Sequence, residues 1–252
     1  MANWLAALPV YNEAGYVDEV LKQVTKYADN VLVINDGSTD GTAARLANWP
    51  GVNVVDHGVN SGYGAALKSA FKYAIEHNYE FLITLDCDGQ HQPQRIPRFL
   101  SACKNADIVS GSRYLKTYPG DSQPPAQRLF INKQITRQIN ARFGMNLTDT
   151  FCGFKAYRVE ALKSFDIQDE GYAMPLELWV QAAMHRMRVI EIPVPLIYLD
   201  LNRSFGGALD EAEKRLQYYN GCIDRAVAAM KAKGFEVPEA PQRRESACQG
   251  CT

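Results

Sequence analysis

An apolar run, Phe81-Leu82-Ile83-Thr84-Leu85, ends in two carboxylates one residue apart, Asp86 and Asp88, followed by Gln90 and His91. In extended backbone alternate side chains point the same way, so Asp86 and Asp88 can converge on one cation. Gln90 offers a further oxygen at the next alternate position. Hard cations such as Mg²⁺ or Mn²⁺ favour oxygen ligands and keep positions open for the oxygens of a diphosphate. The same acids would also serve to solvate a turn after a strand, and an Asp-x-Asp pattern is common. Its weight depends on where it lies and on what accompanies it.

Three other polar clusters accompany it. In Leu8-Pro9-Val10-Tyr11-Asn12-Glu13, the Tyr11 ring suits the side of a nucleobase, and Glu13 can accept hydrogen bonds from a base or a ribose. Asn12 as a helix cap and Glu13 as a first-turn acid is a compatible structural reading. In Ile34-Asn35-Asp36-Gly37-Ser38-Thr39-Asp40-Gly41-Thr42, Asp36 can accept from a base N–H and Gly37 allows close approach. A turn leading to an Asp40 helix cap uses the same residues. Asn60-Ser61-Gly62-Tyr63-Gly64 opens a helix whose N-terminus would attract a phosphate. It lacks both the Gly-x-Gly-x-x-Gly spacing of a dinucleotide site and the Gly-Lys-Ser/Thr of a P-loop.

The elements that must position these clusters follow from periodicity. Apolar runs predict strands over residues 4–10, 30–35, 52–56, 80–86 and 107–111, and further strands over 151–157, 189–193 and 196–198. Amphipathic stretches predict helices over 13–26, 40–48, 62–77, 93–104, 128–143, 175–186 and 208–233, with a Pro-, Gly-, Ser- and Gln-rich mobile loop over 113–127. Alternation of this kind gives an α/β fold with a mostly parallel central sheet and helices on both faces. In such sheets ligands bind beyond the C-terminal ends of the strands, and all four clusters fall there.

The bulk numbers bound the function. The chain has 252 residues and a formal net charge of -1, which argues against a nucleic-acid binder. No apolar run reaches the ~18 residues of a membrane span, and the N-terminus has no signal-peptide pattern, so a cytoplasmic location is expected. The six cysteines read as reduced. Cys248 and Cys251 form a close pair, and a zinc site would need a second pair that the sequence does not supply.

Pro9–Glu13, Asp36-Gly37-Ser38-x-Asp40-Gly41-Thr42, Asn60-x-Gly62 and Asp86-x-Asp88-x-Gln90, in that order, resemble the family 2 inverting glycosyltransferases of GT-A fold. Gly111-Ser112-Arg113-Tyr114 and Asp149-Thr150-x-Cys152-Gly153-Phe154-x-x-Tyr157-Arg158 are similar to the dolichyl- and polyprenyl-phosphate mannosyl- or glucosyltransferases. The resemblance implies a Rossmann-like nucleotide-diphospho-sugar transferase domain over 1–205. An amphipathic helix over 206–233 would then pack on it or on a second copy as a homo-oligomer, and 234–252 would form a disordered tail.

It further implies that Asp86, Asp88 and Gln90 hold the Mg²⁺ or Mn²⁺ and the donor diphosphate. Pro9, Tyr11, Glu13 and Asp36 would hold the nucleoside, with Asn60 and Gly62 also at the donor. Arg113 and Arg128 would grip an acceptor phosphate and act in catalysis with Asp88, and Arg203 would approach the donor. Two departures stand out. Asn35 replaces a common Asp, and Ser204-Phe205-Gly206-Gly207-Ala208 replaces a frequent Gly-x-Ser-Lys, which bears on donor identity and loop closure.

The expected reaction is transfer of a hexose from a nucleotide diphosphate sugar, of the GDP-mannose or UDP-glucose type, to a polyprenyl phosphate at the inner membrane face. Guanidinium geometry suits a phosphate nucleophile, which needs no general base; Glu177 is the nearest candidate for one. The Ile131/Ile135/Ile139 stripe with Lys133, Arg137 and Arg142 would lie either on a membrane or in the core. The alternatives are a family 2 enzyme with a soluble glycan or protein acceptor, and a non-catalytic nucleotide-sugar-binding protein. A nucleotidyltransferase fits less well, because its glycine- and lysine-rich N-terminal loop is missing.

Overall fold

Seven strands form one sheet: β1 (Trp4–Val10), β2 (Val31–Asn35), β3 (Val52–Asp56), β4 (Phe81–Thr84), β5 (Ile108–Ser112), β6 (Lys155–Arg158) and β7 (Val189–Pro193). The computed structural model describes residues 3–199 and 207–238. Arg203 and the departure at 204–206, and Cys248, Cys251 and the expected tail beyond 238, lie outside the described residues.

The strand order is β3-β2-β1-β4-β6-β5-β7. All pairings are parallel except those of β6, which runs antiparallel to both β4 and β5. Two-residue periodicity feeds two cores. On β1, Leu5 and Ala7 join one core while Ala6, Leu8 and Val10 join the other. Helices α1 (Val17–Val24), α2 (Thr42–Leu46) and α4 (Ile96–Cys103) pack on the second face. Helices α3 (Tyr63–Glu76), α5 (Ala126–Phe143), α6 (Val159–Leu162), α7 (Met174–Met184) and α8 (Ala212–Ala232) pack on the first.

The order places a topological switch between β1 and β4. From β1 the chain steps outward to β2 and β3, then returns to β4 on the other side of β1. A crevice forms at such a point beyond the C-terminal strand ends. The loops after β1, β2, β3 and β4, which carry the four polar clusters, all open toward it.

Several expected elements differ. Helix α1 starts at Val17 rather than near residue 13, because the segment before it is tied to a neighbouring loop by long-range hydrogen bonds. The run at 196–198 forms no strand. Its backbone is held instead by Asp121 and Ser122, with Leu196 N–H donating to Asp121 Oδ1 and Tyr198 N–H to Ser122 Oγ. These bonds also tether the 113–127 loop, which was expected to be mobile. The isoleucine stripe of α5 is buried, with Ile131, Ile135 and Ile139 all inside the first core. The membrane reading of that stripe is therefore excluded, since its apolar face is spent on packing. No described helix is long and apolar enough to cross a membrane.

Candidate active site

Strand β4 ends at Thr84, and the chain then turns so that Asp86 and Asp88 both line a cavity of about 540 Å³ at the switch point. Asp86 is held from two sides. Tyr63 Oη donates to its Oδ1 at 3.0 Å, and His91 Nε2 lies 3.8 Å from its Oδ2. The backbone N–H of Asp86 donates to His91 Nδ1, which requires a neutral ring with its proton on Nε2, facing the carboxylate. Burial and the Asp86 N–H donated to Nδ1 oppose protonation of this ring, while Cys152 and the carboxylates of Asp86 and Asp88 favour it. The donated hydrogen bond holds Nδ1 unprotonated in this geometry.

Gly153 completes the Asp86 seat. A Cβ there would lie 2.2 Å from Asp86 Oδ2, so only glycine leaves the carboxylate its space. Strand β6 begins at Lys155 and not at residue 151; just ahead of it the Phe154 carbonyl accepts the Gly111 N–H of β5 and the Gly153 carbonyl accepts Thr84 Oγ1 of β4. Asp88 is organised by its own loop. Its Oδ1 accepts the Gln90 N–H and its Oδ2 accepts Gln90 Nε2 at 2.9 Å. Gln90 thus turns its amide nitrogen toward Asp88.

Among the described residues no group of three or more His, Cys, Asp and Glu side chains gathers as a metal cage. Two carboxylates and a carboxamide on one cavity wall nevertheless fit a hard cation of the Mg²⁺ type. Such an ion binds through one or two carboxylates and takes its other ligands from substrate phosphates and water.

The expected nucleoside residues line the same cavity: Pro9, Tyr11 and Glu13 after β1, Asp36 after β2, and Asn60 and Gly62 after β3. Tyr11 is exposed, whereas Glu13 and Asp36 are buried. Cross-bonds fix the loops. Asn12 Oδ1 accepts the Thr39 N–H, Glu13 N–H donates to Thr42 Oγ1, and Ala14 N–H donates to Asp40 Oδ2. Asn12 is thus a loop clasp and does not cap α1. Asp40 does take the Thr42 N–H at the start of α2. At Gly62 and Gly64 the space of a side chain is filled by the carbonyl oxygens of Glu170 and Asp169, so these glycines make room for neighbouring backbone. Asn35 also has a local cause: its Nδ2 donates to Asp56 Oδ2 at 3.0 Å, where an aspartate would face a second carboxylate.

Arg113 and Arg128 line the cavity as well. Arg113 makes a two-pronged pair with buried Asp149, Nε to Oδ2 at 2.7 Å and Nη2 to Oδ1 at 2.9 Å. Burial alone would push the Asp149 carboxyl up. The Arg113 guanidinium, aided by Asn132 and the Phe151 N–H, overrides this and holds it at about 2. Glu191 on β7 accepts the N–H groups of Thr148 and Asp149 and so anchors the pair to the sheet. Arg128 lies over the Tyr198 ring, 5.8 Å from its centroid. Glu177 does not line the cavity; it accepts N–H groups from Gln168 and Asp169 and the side chain of Gln181. Its role is structural, which removes the nearest expected base.

Sequence reasoning missed Tyr63, Tyr172, Arg215 and Tyr219 as cavity residues. Arg215 and Tyr219 come from α8, whose buried side chains share a core with α7. Their one sequence signal is helical phase: Arg215 lies one turn before Tyr219, which continues into Cys222, Ile223 and Ala226 on the buried face. The mixed charges around Arg215 hide it.

The sequence model of Glycosyl transferase family 2 matches residues 6–165. An undecaprenyl-phosphate mannosyltransferase from Micrococcus luteus is 32% identical, over 82% of this chain and 90% of that protein. A polyprenol monophosphomannose synthase from Mycolicibacterium smegmatis is 30% identical, over 90% and 91% respectively. Among solved structures, glucosyl-3-phosphoglycerate synthase from Mycobacterium tuberculosis superposes with a TM-score of 0.69 at 18% identity, covering 90% of this chain and 80% of that one. A structure of the same enzyme with Mg²⁺ and uridine diphosphate gives 0.66 at 16% identity, covering 90% and 79%. At those identities the structural likeness establishes the fold, which is of GT-A type.

Proposed function

This chain belongs to glycosyl transferase family 2 and is a glycosyltransferase, and we propose that it moves a hexose from a nucleotide diphosphate sugar to a polyprenyl phosphate, assisted by a divalent cation at Asp86 and Asp88. One observation carries this reading: the acid pair and the arginines Arg113 and Arg128 share a single cavity with the nucleoside-facing clusters. The undecaprenyl phosphate in the name of one bacterial relative and the polyprenol monophosphomannose in the name of the other support the same assignment.

When bound, the cation supplies electrostatic stabilisation of the diphosphate leaving group. The chain's own residues supply position. Tyr63, His91 and Gly153 fix Asp86, and Gln90 fixes Asp88. Asp149 locks the plane of the Arg113 guanidinium, which with Arg128 orients the acceptor phosphate. An oxygen of that phosphate forms the bond to the anomeric carbon as the bond from that carbon to the donor β-phosphate oxygen breaks. The nucleoside diphosphate leaves with the electron pair, and configuration inverts. The acceptor is already anionic at neutral pH, so no proton needs to be removed, in keeping with the commitment of Glu177 elsewhere. An acceptor of this kind places the enzyme at a membrane surface.

The acceptor assignment is tested by offering GDP-mannose or UDP-glucose together with a short polyprenyl phosphate, the matching polyprenol without phosphate, or free oligosaccharides. Transfer to the phosphate alone is the expected outcome. Equal transfer to polyprenol or to soluble glycans would contradict it.

A further inference from the structure

The Asp36 carboxylate is almost completely subscribed, and the group that completes its set is a histidine that neither the acid pair nor the arginines involve. Its Oδ1 receives His57 Nδ1 at 2.7 Å and the Ser61 N–H at 3.0 Å, and its Oδ2 receives the Gly62 N–H at 2.8 Å. A carboxylate has about four acceptor directions, two on each oxygen, so these bonds leave one, on Oδ2. Asp36 is buried yet lines the cavity, so that last direction is open only to something inside it. A carboxylate cannot donate, so His57 Nδ1 carries the proton, and Nε2 faces Ser69 Oγ of α3 at 2.8 Å. The turn is clamped as well. A Cβ on Gly37 would lie 2.3 Å from the backbone of Val59, so the 57–62 segment rests directly on the Asp36 turn.

We propose that His57, braced by Ser69, is a positioning residue that leaves Asp36 a single acceptor direction in the cavity, and that this restricts the donor to nucleobases carrying a ring N–H. The inference rests on the donor reading given above. Uracil and guanine present such an N–H at the pairing edge. Cytosine and adenine present a lone pair there, which a fixed carboxylate repels. Ser69, His57 and Asp36 come from α3 and from the loops after β3 and β2, so the discrimination is built by three elements that the switch point brings together.

The test is calorimetric binding of UDP, GDP, CDP and ADP in the presence of Mn²⁺ to the full chain and to His57→Leu, His57→Asn and Ser69→Ala. The unaltered protein should bind UDP or GDP at least about tenfold more tightly than CDP and ADP, the worth of one hydrogen bond to a charged group. His57→Leu should lose about that factor for the preferred diphosphate and none for the others. His57→Asn, whose amide N–H can replace the Nδ1 donor, should retain most of the preference. Ser69→Ala removes only the brace and should narrow the gap by about two- to threefold, which keeps the question answerable should His57→Leu fail to fold. Equal affinities for all four diphosphates, or a His57→Leu loss that is equal for all four or absent, would overturn the inference alone. Failure of the unaltered chain to bind any of the four would overturn the donor reading, and this inference with it.

Discussion

At the scale of single residues, Gly153 and Asp149 carry opposite kinds of constraint. Gly153 is needed for the space it leaves: the three atoms nearest a methyl group there all belong to the Asp86 carboxylate, at 2.2–2.6 Å. Gly153→Ala should therefore displace Asp86 and weaken nucleotide-sugar binding in Mn²⁺ by about tenfold or more, while costing under about 1 kcal/mol of stability. Calorimetry paired with urea unfolding separates the two effects. Asp149 is needed for its charge. Its pKa lies at about 2, below the ordinary 3.8, so it contributes stability that is fully present above pH ~4 and lost as pH falls toward ~2. The contribution is about 2 kcal/mol. Urea unfolding between pH 2 and 5 should show this acid limb flattened in Asp149→Asn, in which the side chain does not titrate. The acid pair was legible in the sequence because strand alternation is local. The Arg113–Asp149 pair closes over 36 residues, and no local pattern announces that Asp149 is the partner that holds Arg113 in place.

At the scale of elements, α5 shows why an amphipathic stripe alone does not choose between membrane and core. Its isoleucines recur every four residues, and both destinations accept that spacing. Packing against α7 and α8 decides it: Ile135 is fully buried, while Phe130, Lys133 and Arg137 face outward. Ile135→Ala should lower the unfolding free energy by about 2–5 kcal/mol in urea titration, as expected for a cavity in a packed core, and leave vesicle binding unchanged. Strands β1, β2 and β4 were readable because their central residues are apolar on both faces. Strand β6, Lys-Ala-Tyr-Arg, was readable in place but not in direction, since four residues inserted antiparallel between β4 and β5 depend on the whole sheet for their pairing. Residues 196–198 carry strand-forming side chains but meet a loop where a strand edge would be needed, and Asp121 and Ser122 take their N–H groups.

For the whole molecule, the order of strands makes the site. Reversal between β1 and β4 opens a crevice into which four loops, two arginines near β5 and α5, and the buried face of α8 all project. The sequence showed that the clusters fall at strand ends; that α8 contributes Arg215 and Tyr219 to the same cavity depended on tertiary packing. The claim that this cavity performs metal-assisted transfer to a lipid phosphate is tested most directly by one measurement: the rate of hexose transfer from the preferred nucleotide sugar to a short polyprenyl phosphate in Mn²⁺, for the unaltered chain and for Asp88→Ala. By this claim transfer falls by about 10²-fold or more in Asp88→Ala, the scale of losing a principal electrostatic contact in a transition state. Transfer that proceeds undiminished in Asp88→Ala would contradict it.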